Sequence, residues 1–152
     1  MTITNDILTD LTNLAKRIRR LETMPHRSGI VIASFPIEAL DHTTTTAVGY
    51  KYFYVPSSCD GMNIIRAQSF TFTAGVGVGS TVSQLRNLTK YAANDALSTA
   101  MSIASGDTVG TPGVIAPAYD DVSTDDCLRL SCSAIPGTPG LGLYYVLEFQ
   151  LP

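Results

Sequence analysis

Residues able to do chemistry are few in this chain, and their spacing limits what they can do. Histidine occurs only at His26 and His42. Nucleophilic catalysis needs a serine or cysteine held beside a general base. His26 follows Pro25, and His42 opens a run of four threonines, so neither has such a neighbour in sequence. Cys59, Cys127 and Cys132 are odd in number, which rules out a closed disulfide framework within one chain. Cys127 and Cys132 fall in one predicted strand at an odd separation, on opposite faces, so thiols are expected there and not a pair. Neither histidine neighbours a cysteine, and no spacing suits zinc.

Two acidic pairs, Asp120-Asp121 and Asp125-Asp126, lie in a Gly-, Pro- and Asp-rich connection over residues 106–126. Such oxygens could ligate calcium, or serve as the carboxylate pair of a glycosidase. The spaced Asp-x-Asp-x-Asp-Gly pattern is missing, and adjacent acids in a turn are not held at the fixed separation that glycoside hydrolysis needs. Turn capping is the expected duty. Ala74-Gly-Val-Gly-Val-Gly79 invites a phosphate-loop reading, but Ser80-Thr81-Val82 follows it where a P-loop requires a lysine and then a helix. A βαβ context for dinucleotides is missing too, so we read a flexible hairpin connection. The expectation is a protein that is not an enzyme, with no catalytic residue, no metal and no cofactor.

The elements that carry these residues follow from composition and period. Of 152 residues, 45% are hydrophobic and 15% charged, enough for one core with an appendage. Thr and Ser supply 31 residues, Gly 12 and Pro 8, with no Trp, which favours short strands joined by turns. Residues 1–27 hold five bases against three acids, and residues 28–152 hold five bases against ten acids. An acidic body argues against binding a phosphate backbone, and the cluster Lys16, Arg17, Arg19, Arg20 reads as the solvated face of a helix. No nucleic-acid partner is expected. No run reaches the roughly 18 apolar residues of a membrane span, and the start lacks the apolar stretch of a signal peptide, so no membrane is expected and assembly in a cytoplasm is.

Residues 1–27 form the first predicted unit, an N-terminal coiled-coil arm. Ile7, Leu11, Leu14, Ile18 and Leu21 recur at alternating intervals of four and three, the seam of a coiled coil. Thr4 or Asn5 caps the start, Asp6 suits the helix dipole, and Pro25 ends the helix, which predicts a span of about residues 5–23. With Leu11 and Ile18 at a, Arg17 falls at g and Glu22 at the following e, where they can bridge neighbouring helices. Arg17-Ile18-Arg19-Arg20-Leu21-Glu22 fits the Arg-apolar-x-x-apolar-Glu pattern of trimeric coiled coils. Ile7, Leu11, Leu14, Arg17, Ile18, Leu21 and Glu22 are therefore the predicted trimer interface. A coil under three heptads is marginal alone; the body must help hold the trimer, or another molecule must grip the arm.

From residue 28 the period becomes two. Strands are predicted over residues 29–35, 47–55, 62–73, 82–88, 97–104, 127–134 and 141–151. Tyr50, Tyr52 and Tyr54 share one face of the second. In the last, Tyr145, Leu147, Phe149 and Leu151 alternate with Tyr144, Val146, Glu148 and Gln150, and a central place in the sheet is expected for it.

Val55-Pro56-Ser57 with Gly61-Met62-Asn63, then Gln84 to Thr89, Leu97-Ser98-Thr99, Pro117 to Val122, Asp126 to Leu130, Gly140-Leu-Gly-Leu and Leu147 to Pro152 occur in an order and spacing that extends over about residues 50–152. In this the body resembles a domain found in small virion proteins and tail-fibre ends of tailed bacteriophages and prophages. The resemblance implies a mainly β fold, an antiparallel β-sandwich of jelly-roll type over residues 28–152, on the virion exterior, trimeric and without catalytic residues. The coiled coil joined directly to a short body favours a small free-standing component, a capsid decoration or cement protein or short head fibre. Its expected partners are itself and other virion proteins, the major capsid protein foremost, with the arm as the attachment. The alternative is a tail-fibre adhesin that contacts a host-surface glycan.

Overall fold

The computed structural model describes residues 29–36 and 42–152. The predicted coiled-coil arm, with Ile7, Leu11, Leu14, Arg17, Ile18, Leu21 and Glu22, lies outside them. The described residues are mainly β, in antiparallel sheets.

Strands β1 (Val31–Pro36), β2 (Ala47–Tyr54), β3 (Asn63–Thr73) and β4 (Thr81–Asn87) are followed by short β5 (Leu97–Thr99), β6 (Met101–Ile103) and β7 (Val114–Ile115), then β8 (Cys127–Ala134) and β9 (Leu141–Gln150). One sheet has the order β1-β9-β3, a second β2-β8-β4-β6, and a two-stranded piece pairs β5 with β7. The pairing is nested: β1 with β9, β2 with β8, β4 with β6. Residues 108–113 complete the nest by running along β3, where Thr71 N–H donates to Thr108 O at 2.9 Å, Gly110 N–H to Ser69 O at 2.9 Å and Gly113 N–H to Ala67 O at 3.0 Å.

Side-chain alternation explains why these segments become strands and where the core sits. Along β9, Leu143, Tyr145, Leu147 and Phe149 are buried and Tyr144, Val146, Glu148 and Gln150 half-buried on the other side. On β8, Leu128, Leu130 and Cys132 point inward, and on β4 Thr81, Ser83, Leu85 and Asn87 do. The inward faces of the two larger sheets meet: the Phe53 and Phe149 rings lie 6.4 Å apart, and the Tyr145 hydroxyl donates to Ser83 Oγ at 2.8 Å. Each large apolar side chain buried this way contributes about 1.5–3 kcal/mol. Cys59 and Cys132 are buried as thiols, and Cys127 is half-buried on the opposite face of β8.

Three expectations change. The predicted strand over residues 97–104 is two strands in different sheets, because the ladder partner changes at Ala100 from β7 to β4. The connection over residues 106–126 is not one open loop, since it supplies β7 and the segment beside β3. The Gly-rich segment 74–79 is no hairpin: it carries the chain from β3 in one sheet to β4 in the other. It is laced to the turn over residues 136–140, with Val76 N–H donating to Thr138 O at 2.9 Å and Thr138 N–H returning to Val76 O at 2.8 Å. Gly77 holds φ 102°, a conformation costly for side-chain-bearing residues. A Cβ on Gly75 would stand 2.6 Å from Pro136 Cγ.

Candidate functional site

Three of the four acidic residues, Asp120, Asp121 and Asp126, hold neighbouring groups. Asp126 is buried, and its Oδ2 accepts from Asn87 Nδ2 and from Ser123 N–H, both at 2.9 Å. Asp121 Oδ2 meets Lys90 Nζ at 2.7 Å, and its Oδ1 accepts from the Tyr91 hydroxyl. The bond to Lys90 first, then that to Tyr91, holds the Asp121 carboxyl below its ordinary range. The same bond to Asp121 pushes the Tyr91 phenol up. Asp120 Oδ2 accepts from Asn63 Nδ2 at 3.4 Å. Asp125 adopts φ 65°, a left-handed turn position that aspartate tolerates better than most residues. Among the described residues, no group of three or more His, Cys, Asp or Glu is placed to hold a metal ion, and no helix is long and apolar enough to cross a membrane.

The two larger sheets present unlike outer faces. On β1-β9-β3, the residues opposite the core line up in cross-strand rows. Ile32 pairs with Glu148, which pairs with Arg66; Val146 pairs with Gln68; and Tyr144 pairs with Phe70. Arg66 Nη1 reaches Glu148 Oε1 at 3.0 Å, and the Phe70 and Tyr144 rings stack at 5.1 Å. Val109 bridges Phe70 and extends this face. Ile32, Phe72 and Val109 keep 64%, 63% and 58% of their surface exposed, which makes an apolar sheet face that no described element covers.

The outer face of β2-β8-β4-β6 carries polar side chains around a groove. A groove of about 330 Å³ is lined by Gln84, Arg86, Asp95, Arg129, Ser131 and Ser133, among others. Strand alternation makes this floor: Arg129, Ser131 and Ser133 lie on β8 opposite Leu128, Leu130 and Cys132, and Gln84 and Arg86 lie on β4 opposite Ser83, Leu85 and Asn87. Registered pairing sets Tyr52, Arg129 and Arg86 in one row across three strands. Arg86 is fully engaged: Nη2 and Nε hold Asp95 Oδ1 at 2.6 and 2.8 Å, and Nη1 donates to Ala92 O at 3.2 Å. Gln84 is fixed too, donating to Leu97 O at 3.2 Å and accepting from Leu85 N–H at 3.0 Å.

Arg129 differs. Its Nε is buried with no hydrogen-bond partner, and it forms no ion pair among the described residues. Like charges directly opposite on adjacent strands destabilise a sheet, and Asp95 neutralises only Arg86. Tyr52 and Tyr54, 51% and 66% exposed, stand on β2 beside this row. The tyrosine alternation was readable in sequence. Arg129 was not singled out, because its significance depends on a pairing with Arg86 forty-three residues away in the chain. Comparison with protein-family models, with curated proteins and with solved structures finds no match for this chain.

Proposed function

We propose that this protein is a homotrimeric exterior component of a tailed-phage virion, a capsid decoration protein or short head fibre that attaches through residues 1–27. The body in this reading is an antiparallel β-sandwich of jelly-roll type, assembled around the axis of the Ile7 to Leu21 seam. The observation that carries it is the nested strand order, β1-β9-β3 with residues 108–113 alongside, over β2-β8-β4-β6. That is the order of a ribbon folded over on itself, the double Greek key that recurs in viral capsid and lectin domains. Fold analogy alone does not assign function, so two further features support the reading. The five-position seam with its Arg17 and Glu22 pair is built for self-association. The apolar face of β1-β9-β3 begins close behind it: from Glu22 to Ile30 the chain can span at most roughly 28 Å. Packing of these faces between copies supplies the help a short coil needs.

Native mass spectrometry of the full chain tests the assembly, with a three-chain mass expected. Leu14→Asp with Ile18→Asp is expected to give single chains that keep their β circular dichroism, since charges in a buried seam cost several kcal/mol. A monomeric wild-type protein at micromolar concentration overturns the trimer. Gold-labelled antibody against the body, applied to phage particles from cells that express it, tests the site: many labels over the head are expected, and unlabelled particles refute a virion role. A second reading, adhesion to a host-surface saccharide, is favoured by the groove with Arg129 and by exposed Tyr52 on the neighbouring strand, and label confined to the distal tail would select it.

A further inference from the structure

We infer that the groove on β2-β8-β4-β6 binds a carboxylate-bearing sugar, its carboxylate on Arg129 and its ring against Tyr52. The inference rests on the saccharide reading above and names the ligand class, whichever part of a particle displays the site.

Charge is the first argument. Residues 28–152 contain five bases, Lys51, Arg66, Arg86, Lys90 and Arg129. Arg66, Arg86 and Lys90 each hold a carboxylate. Lys51 is exposed to water. Arg129 is half-buried, faces the engaged Arg86 across the ladder, and has a buried Nε without a partner. Nε itself is closed off from solvent, so an anion in the groove would meet the guanidinium at its Nη atoms, neutralising a charge that has no ion pair among the described residues and relieving the repulsion between the two guanidinium groups. A carboxylate is the anion that fits. It is planar and singly charged, matching one guanidinium fork. A doubly charged phosphate would bring excess negative charge to a body with ten acids against five bases.

The surrounding groups specify a sugar. Tyr52 offers an aromatic face beside Arg129, on which the C–H face of a pyranose can lie. Asp95 uses only Oδ1 for Arg86, so Oδ2 can accept from a ring hydroxyl. The Ser133 hydroxyl donates to Val82 O at 3.3 Å and keeps lone pairs for another. An open trough along a sheet face also suits one stretch of a polymer, where a closed cavity would suit a free metabolite.

The test is titration calorimetry of the full chain with a glucuronate tetrasaccharide and with a sialic-acid tetrasaccharide, each beside its carboxyl-reduced form. At least one acidic probe is expected to bind about tenfold or more tightly than its reduced form. Arg129→Gln is expected to abolish that preference without lowering the melting temperature, because it removes a charge that has no ion pair among the described residues. Tyr52→Ala is expected to weaken the acidic and reduced forms alike. Equal binding of acidic and reduced forms overturns the carboxylate assignment and leaves the saccharide reading intact. Absence of binding by all four probes at millimolar concentration overturns both. If Arg129→Gln is destabilised, Arg129→Lys is used, which keeps the charge but loses the fork; an undiminished preference in that variant overturns the pairing. Displacement of a bound acidic probe by equimolar inorganic phosphate shows a general anion site and likewise overturns the sugar assignment.

Discussion

Replacing Asp126 with alanine should be among the most damaging single changes in the body. Its Oδ2 takes two hydrogen bonds of 2.9 Å, from the Asn87 amide and the Ser123 backbone, and thereby ties the end of β4 to the turn that enters β8. Hydrogen bonds to a charged partner contribute about 1.5–3 kcal/mol each. Loss of both costs about 3–6 kcal/mol, and the figure sits toward the upper end because the Asn87 donor, 1% exposed, would be left buried and unpaired. Against a total stability of about 5–15 kcal/mol, this lowers the melting temperature by roughly 6–24 °C for a chain of this size. Asp126→Asn keeps the shape and one acceptor and should lose about half as much. Urea unfolding followed by circular dichroism at one fixed chain concentration measures these values. Asn87→Ala and the double variant close the cycle: Asn87→Ala also removes the Oδ1 acceptor of the Thr89 and Lys90 N–H groups, so the double should cost more than Asp126→Ala alone but less than the sum of the two single changes, because the bond between the two side chains is counted in both. A loss below about 1 kcal/mol for Asp126→Ala, or strict additivity of the two changes, would refute this account of the acidic pair.

Two further outcomes follow from the same geometry. Gly110→Ala places a Cβ 2.7 Å from Ser69 O and 2.8 Å from Ser69 Oγ, so it should strip residues 108–113 from β3 at a cost of about 1–3 kcal/mol, and an unchanged thermal melt would contradict that contact. The Asp121 carboxyl is held low by Lys90 and Tyr91, so its contribution is complete above the ordinary carboxylate range and fades as pH falls through the depressed value. Asp121 is 46% exposed and solvent screens the pair, so the contribution stays below about 1 kcal/mol. The advantage of wild type over Lys90→Met should accordingly be present at neutral pH and vanish in strong acid, and an advantage that persists there would point to packing of the Lys90 stem.

The seven predicted strands all fall on strands of the structure, because period-two alternation is a local signal. β9 is the clearest case: its inward Tyr145, Leu147 and Phe149 separate from Tyr144, Val146 and Glu148 within a few residues of sequence, and it lies centrally, between β1 and β3. What local pattern could not contain was partnership. The switch at Ala100 is set by which strand lies opposite, not by the residues of 97–104 themselves. Val114-Ile115 is too short to show a period, and the glycines of 74–79 read as a hairpin until Thr138 is known to lie beside Val76. Of the acidic pairs, Asp126 was legible as a turn-former, since it caps Ser123 N–H, whereas Asp120 and Asp121 bind the side chains of Asn63, Lys90 and Tyr91, which lie far away in sequence. The groove was illegible for a different reason: Arg129 is unremarkable on its strand and acquires meaning only opposite Arg86.

The nested pairing also sets a schedule for making the molecule. Val31 finds its partner at Phe149, and Ala47 finds Cys132, so the outermost rungs join residues separated by most of the body. The strand between β1 and β3 is β9, which leaves the ribosome after every other described strand. Until it arrives, β1 and β3 have no common neighbour, and their apolar inner faces wait without a lid. Closure of such long loops is slow and exposes sticky intermediates. An arm that gathers three chains would bring those unfinished bodies together at high local concentration, where β9 of one chain could enter the sheet of another. The pace of elongation through β8 and β9, and not the strength of any one contact, would then decide how many nascent chains close on themselves and how many are exchanged between neighbours.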